Sequence, residues 1–137
     1  MDGVILTPLK KISHPNGDIF HAMKVSDKSF FGFGEAYFTS VNQNKIKGWK
    51  KHTEMTLNLI VAVGKIQFAI YNNKSFFSVI LSKDNYQRLT VAPGLWVAFK
   101  GLSVENITLN LSSIEHDPNE SINLDLNSFH FDWNKIK

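Results

Sequence analysis

The sequence predicts an all-β protein, a sandwich or barrel, and three observations carry that expectation. Strand-length apolar runs dominate the chain. Turn signals built on Gly, Pro and Asn separate them at intervals of about 8 to 12 residues, the rhythm of a sandwich or barrel. No stretch sets apolar residues at i, i+3, i+4 and i+7 between helix caps. The 137 residues, 11 of them phenylalanine, suffice for one β-rich core, so a single domain over residues 1–137 is expected.

Taken in order, IFHAMKV (Ile19 to Val25) and EAYFTSV (Glu35 to Val41) read as strands. LNLIVAV (Leu57 to Val63) is apolar throughout apart from Asn58. A strand apolar on both faces must be covered on both. Gly64-Lys65 then leads into IQFAIY (Ile66 to Tyr71), and two such runs around a short Gly-containing link predict a β-hairpin. Asn72-Asn73-Lys74 turns into SFFSVIL, and Ser82 to Asn85 turns into the alternating YQRLTVA. Pro93-Gly94 opens LWVAFKGL, and NITLNLSS (Asn106 to Ser113) follows with Ile107, Leu109 and Leu111 on one face.

Just before the first long apolar run comes a different kind of sequence. Lys45, Lys47, Lys50 and Lys51 fall within seven residues, with Trp49 among them and His52 next. This basic turn is either a solvated surface or, at a barrel mouth, a site for an anionic ligand. The net charge of +3 is too small to argue for nucleic acid by itself, and no nucleic-acid partner is expected.

Composition removes other chemistries. The chain has no cysteine, which excludes disulfides, thiolate metal sites and cysteine nucleophiles. Its N-terminus, MDGVILTPLKKI, lacks the apolar core of a secretory signal, and no segment approaches the roughly 18 apolar residues of a membrane helix. A cytoplasmic protein without a membrane partner is the simplest expectation.

Several stretches, in matching order, carry a resemblance: GVILTPLKKI, FGEAYF, IKGWKKHTEMTLNLIVAVG, SKDNYQRLTVAPGLWVAFKG, HDPNESINLDL and a closing FDW. Together they resemble the short members of the dTDP-4-dehydrorhamnose 3,5-epimerase family of sugar-nucleotide cupins, with the 3,4-ketoisomerases a close variant. The resemblance implies a cupin-type double-stranded β-helix, or jelly roll. It also implies proton abstraction beside the ketone of a dTDP-4-keto-6-deoxyhexose, no cofactor, and a homodimer, to which the closing FDWNKIK also points.

The family's base histidine follows an Arg/Lys-Gly-aromatic triplet and pairs with a late aspartate. Here Lys47-Gly48-Trp49 matches the triplet, Lys50 takes the base position, His52 keeps a second histidine, and Asp125 matches the partner. A lysine beside an aspartate is held protonated and cannot abstract a proton, although it can stabilise an enolate. Residues 50 and 52 share a strand face, so His52 becomes the candidate base. The family's tyrosine acid has no counterpart near Ile114, Glu115 and His116. Its second histidine falls on Val97, its enolate lysine near Thr56, and its early arginine on Asn16. The metal-cupin ligand set is also incomplete: His52 and Glu54 stand in the first motif and Val97 in the second, so no metal is expected.

Among other residues, Tyr37 and Glu35 share one face of their strand as candidate sugar contacts. Arg88, the only arginine, is placed either to clamp a diphosphate or to make a surface salt bridge. Trp49 and Trp96 either bury area in the core or stack on a base or sugar. His14 and His130 read as loop and packing residues, His21 as a strand residue facing either the pocket or away from it, and His116-Asp117-Pro118 as either a turn or an acid/base candidate. Two functions follow. One is a metal-independent sugar-nucleotide epimerase or isomerase of surface polysaccharide biosynthesis, using His52, Lys50 and Asp125 for chemistry and Lys47, Trp49, Glu35, Tyr37, Arg88 and Trp96 for binding. The other is a catalytically altered cupin that binds a sugar nucleotide or glycan.

Overall fold

The computed structural model describes residues 1–135. Twelve strands and one short 3₁₀ turn (Leu126–Ser128) are formed among the described residues. In order these are β1 (Val4–Pro8), β2 (Lys11–Ile12), β3 (Ile19–Phe20), β4 (Glu35–Ser40), β5 (Ile46–His52), β6 (Leu57–Val63), β7 (Lys65–Tyr71), β8 (Phe76–Ser82), β9 (Gln87–Val91), β10 (Trp96–Gly101), β11 (Ile107–Ser112) and β12 (Ser121–Asn123). One five-stranded sheet runs β1-β9-β6-β11-β4 and faces a second that runs β12-β5-β10-β7-β8. All their pairings are antiparallel, and from β4 onward the chain changes sheet at every connection except β7–β8. That is the jelly roll the resemblance implied.

The Gly64 link is not a hairpin. β6 pairs with β9 and β11, whereas β7 pairs with β8 and β10. Gly64, at φ +79, lies so close to the next crossover that a Cβ there would sit 2.0 Å from the Glu105 carbonyl oxygen. Asn106 Oδ1 accepts the following Lys65 N–H at 3.0 Å, turning the backbone into the other sheet. The true hairpin is β7–β8, with Asn73 in the left-handed region at φ 73. IFHAMKV contributes only the two-residue strand β3, and its remainder is irregular. The basic stretch expected as a turn is itself a strand, β5.

Between the sheets, one half is packed solid and the other is hollow. Ile66, Phe68, Leu81, Leu89 and Val91 fill the half under β7, β8 and β9. Each sheet also has its outer face covered in part. Behind β6 and β9, Asn58 and Thr90 are bonded to each other at 2.6 Å, and the segment ending at Ser29 lies over them. Arg88 is fully buried there, donating to the Ala22 carbonyl (2.6 Å) and Ser29 Oγ (2.7 Å) and pairing with Asp27 (3.2 Å).

Behind the other sheet, the C-terminal tail folds back. Phe129, Phe131 and Trp133 pack on Trp49, Trp96, Tyr71 and Phe76. Trp49 is 1% exposed, and its Nε1–H donates to the Leu126 carbonyl at 3.3 Å. FDW, read as a pointer to a partner subunit, thus packs on its own chain; Ile136 and Lys137 lie outside the described residues. Trp49→Ala should remove this anchor and lower unfolding free energy by roughly 3–5 kcal/mol, a loss readable from urea denaturation monitored by circular dichroism.

Candidate functional site

The hollow half is a cavity of about 390 Å³. One wall comes from the first sheet: Leu57 and Leu59 of β6, Thr108 and Asn110 of β11, Tyr37 and Thr39 of β4. The other comes from the second sheet: Lys47, Gly48, Lys50 and His52 of β5, Val97 and Phe99 of β10, and Asn123 of β12.

Period-two alternation cannot put Lys47 and Lys50 on the same face. A bulge does so. Lys50 pairs with Val97 and Lys47 with Phe99, so Gly48 and Trp49 together oppose the single residue Ala98. Gly48 makes this possible. Its φ is +138, and a Cβ would meet Ala98 Cβ at 2.6 Å and the Val97 carbonyl oxygen at 2.8 Å. The bulge sends Trp49 outward into the tail cluster while three basic side chains line the cavity.

His52 is held by a buried acid. Its Nδ1 lies 2.7 Å from Glu120 Oε1, and the Glu120 side chain is 1% exposed. The other carboxylate oxygen accepts the N–H groups of Glu54 (3.0 Å) and Met55 (2.8 Å). The Glu120 carbonyl accepts both N–H and Oγ1–H of Thr53. Burial pushes the Glu120 carboxyl up, but hydrogen bonds from His52, Glu54 and Met55 outweigh it and hold the group below its ordinary value. The ionised Glu120 accepts the Nδ1–H of His52, so a neutral ring has its lone pair on Nε2.

No carboxylate lines the cavity itself, because Glu120 stands behind His52. Lys47, whose Nζ donates to the Ser40 carbonyl at 3.3 Å, and Lys50 therefore line it without an acid among the lining residues, which suits an anionic ligand. Opposite them, Tyr37 Oη accepts a hydrogen bond from Asn110 Nδ2 at 2.9 Å, leaving its own hydrogen free to donate.

The structure thus gathers His52, Lys50, Lys47 and Tyr37, and it places the other candidates elsewhere. Asp125 is not the partner of His52 or Lys50. β12 sets Ser121 against His52 and Asn123 against Lys50, and Asp125 lies beyond the strand end, exposed at the start of the 3₁₀ turn. Glu35 does not line the cavity, because its carboxylate accepts the backbone N–H of His116. Arg88 is spent behind the first sheet, and Trp49 and Trp96 are buried behind the second. Among the described residues, no group of three or more His, Cys, Asp or Glu is arranged to hold a metal.

Glu120, Asn110, Thr108, Thr39 and Asn123 escaped the sequence reading. For β11 the signal was present but inverted: Thr108, Asn110 and Ser112 are the buried set, and Ile107, Leu109 and Leu111 lie on the half-exposed face. For Glu120 the only signal was a carboxylate just before a strand whose partner could not be read from the sequence.

A jelly roll with an imidazole–carboxylate pair inside one end defines a cupin-type protein with an acid–base pocket. The protein-family profile described as FdtA: WxcM-like, C-terminal, matches residues 2–131, so the chain belongs to that family. Among solved structures, a dTDP sugar isomerase from Desulfovibrio desulfuricans G20 is 29% identical, with TM-score 0.88 over 93% of this chain and 87% of that one. QdtA, a sugar 3,4-ketoisomerase from Thermoanaerobacterium thermosaccharolyticum solved with TDP, shares 20% identity and TM-score 0.79 over 89% and 88% of the two chains. NovW, a 4-keto-6-deoxy sugar epimerase from Streptomyces spheroides, shares 14% identity and TM-score 0.82 over 91% and 70%. At these identities the latter two establish the fold alone. No curated protein sequence matches significantly.

The Glu120 pair carries a pH signature. A carboxyl whose folded pKa is depressed contributes stability above its unfolded value and loses it as pH falls through the folded value. Stability should therefore decline below about pH 4.5, the ordinary value for this carboxyl. The Glu120→Gln variant should show a shallower decline in denaturation midpoints measured across that range.

Proposed function

We propose that the cavity binds a dTDP-linked 4-keto-6-deoxyhexose and moves a proton at the carbon beside the ketone. The observation that carries this reading is His52, tethered through Nδ1 to buried Glu120 and lining a cavity with Lys50 and Lys47. The similarity to the dTDP sugar isomerase supports the substrate class.

In this reading His52 Nε2 is the base that takes the C3 proton, with Glu120 stabilising the imidazolium. Lys50 donates a proton to the C4 oxygen as the enediol forms. His52 then returns its proton to C4, and Lys50 recovers one from the C3 hydroxyl as that carbon becomes the ketone. Lys47 pairs with phosphate, and Tyr37 donates to a sugar oxygen. The basic groups all stand on β5, along one wall. That placement lets base and donor act on one face of the sugar, as a 3,4-ketoisomerisation requires, whereas epimerisation would need Tyr37 on the opposite wall to deliver the proton. The ketone itself acidifies the neighbouring C–H, so no cofactor is invoked.

As parts of the same reading, the enzyme works in the cytoplasm, makes a sugar for a surface polysaccharide, and is a homodimer. Three exposed aromatics support the dimer: Phe31 (55%), Phe33 (62%) and Phe38 (75%) lie on or just before β4, one of the two edge strands of its sheet.

Incubating the protein with dTDP-4-keto-6-deoxyglucose in D₂O and following the sugar by NMR tests the chemistry. Deuterium should enter at C3 or C4 with appearance of the 3-keto isomer, and His52→Ala should abolish both. Binding without any exchange would instead establish the catalytically altered binding protein. Lys50→Met should lower kcat by about 10²-fold, the scale of one lost electrostatic donor, while Lys47→Ala acts mainly on KM. For the assembly, light scattering should give twice the chain mass, and Phe38→Asp should shift it toward the monomer.

A further inference from the structure

The loop from residue 113 to residue 120 carries Glu120 from one sheet to the other, and residues 115 to 119 are exposed. A carboxylate delivered by an exposed loop needs that loop held. Its two ends are secured locally. At the β11 end, Ser113 exchanges bonds with the Thr56 backbone through its own N–H (3.2 Å) and Oγ (2.8 Å). At the other end, Glu120 N–H returns to the Asp117 carbonyl at 3.0 Å.

Beyond the Ser112 Oγ bond to the Ile114 carbonyl and the packing of Ile114 on the core, the middle is held from outside by one side chain. Glu35 faces Ser112 in the last register pair of β4 and β11, and its carboxylate reaches past the end of that ladder to the His116 N–H. The preceding residue closes the same contact. Gly34 lies flush on the loop backbone, where a Cβ would sit 1.9 Å from the Ile114 carbonyl carbon. Glu35 is half-buried, ionisable and absent from the cavity lining.

We propose that Glu35 is a positioning residue: by clamping His116 N–H it sets the loop so that Glu120 reaches His52 and the amides of Glu54 and Met55. The catalytic consequence rests on the proposed role of His52; the clamp does not. Glu35→Ala should lower amide exchange protection at Glu54 and Met55 by about ten-fold or more, as a local opening does. Protection of the β6 and β7 amides should stay unchanged. Under the reaction proposed above, kcat should fall by about ten- to a hundred-fold, the scale of a small misplacement of a catalytic group. KM should move little, because Lys47 and Lys50 are untouched.

Glu35→Gln retains a carbonyl oxygen to accept the bond and should restore both readouts. His116→Pro deletes the same bond from the exposed side of the loop, and it carries the test if Glu35→Ala does not fold. Wild-type protection at Glu54 and Met55 in folded Glu35→Ala, or in His116→Pro, would overturn the proposal. Lost protection in Glu35→Ala, when the wild-type protein itself catalyses no exchange, would uphold the clamp and overturn the reaction instead.

Discussion

A carboxylate taken out of water must be met by donors, and Glu120 meets that requirement by joining three parts of the fold. His52 at the end of β5 and the amides of Glu54 and Met55 before β6 converge on its two oxygens. Its own backbone is pinned by Thr53. Without these partners the charge would carry a penalty of several kcal/mol. The site geometry follows from that demand. The link from β5 to β6 folds around the carboxylate, and the ring of His52 is held through Nδ1.

The two faces of β5 divide the labour. Its outer face is anchored by Trp49 under the aromatic tail, and its inner face presents Lys47, Lys50 and His52. The bulge at Gly48 reconciles the two by inserting one residue between the lysines. The cationic cavity and the apolar outer cluster are therefore two consequences of one irregularity.

The first sheet contributes differently. β4 and β11 turn their polar sides inward, so Tyr37, Thr39, Thr108 and Asn110 line the wall facing the bases. Under β7, β8 and β9 the same inter-sheet space is filled by aliphatic and aromatic side chains. The boundary runs through Leu57, Leu59 and Val97, which belong to both the core and the cavity wall. Closure of one half by packing leaves the other half free to hold a ligand.

The amino-acid sequence by itself determined the long strands β4 and β6 to β11, their approximate limits, the all-β class and the grouping of basic residues with His52. Those features depend on local pattern: apolar periodicity, turn residues and neighbours in the chain. Tertiary structure alone decided that Gly64 crosses between sheets, that β11 buries its polar face, and that Lys47 joins Lys50 across a bulge. It also decided that Glu120, and not Asp125, holds the histidine, and that Arg88, Trp49 and Trp96 are structural. A period of two leaves open which face is inward and which strand lies alongside, and only the assembled sheets settle both.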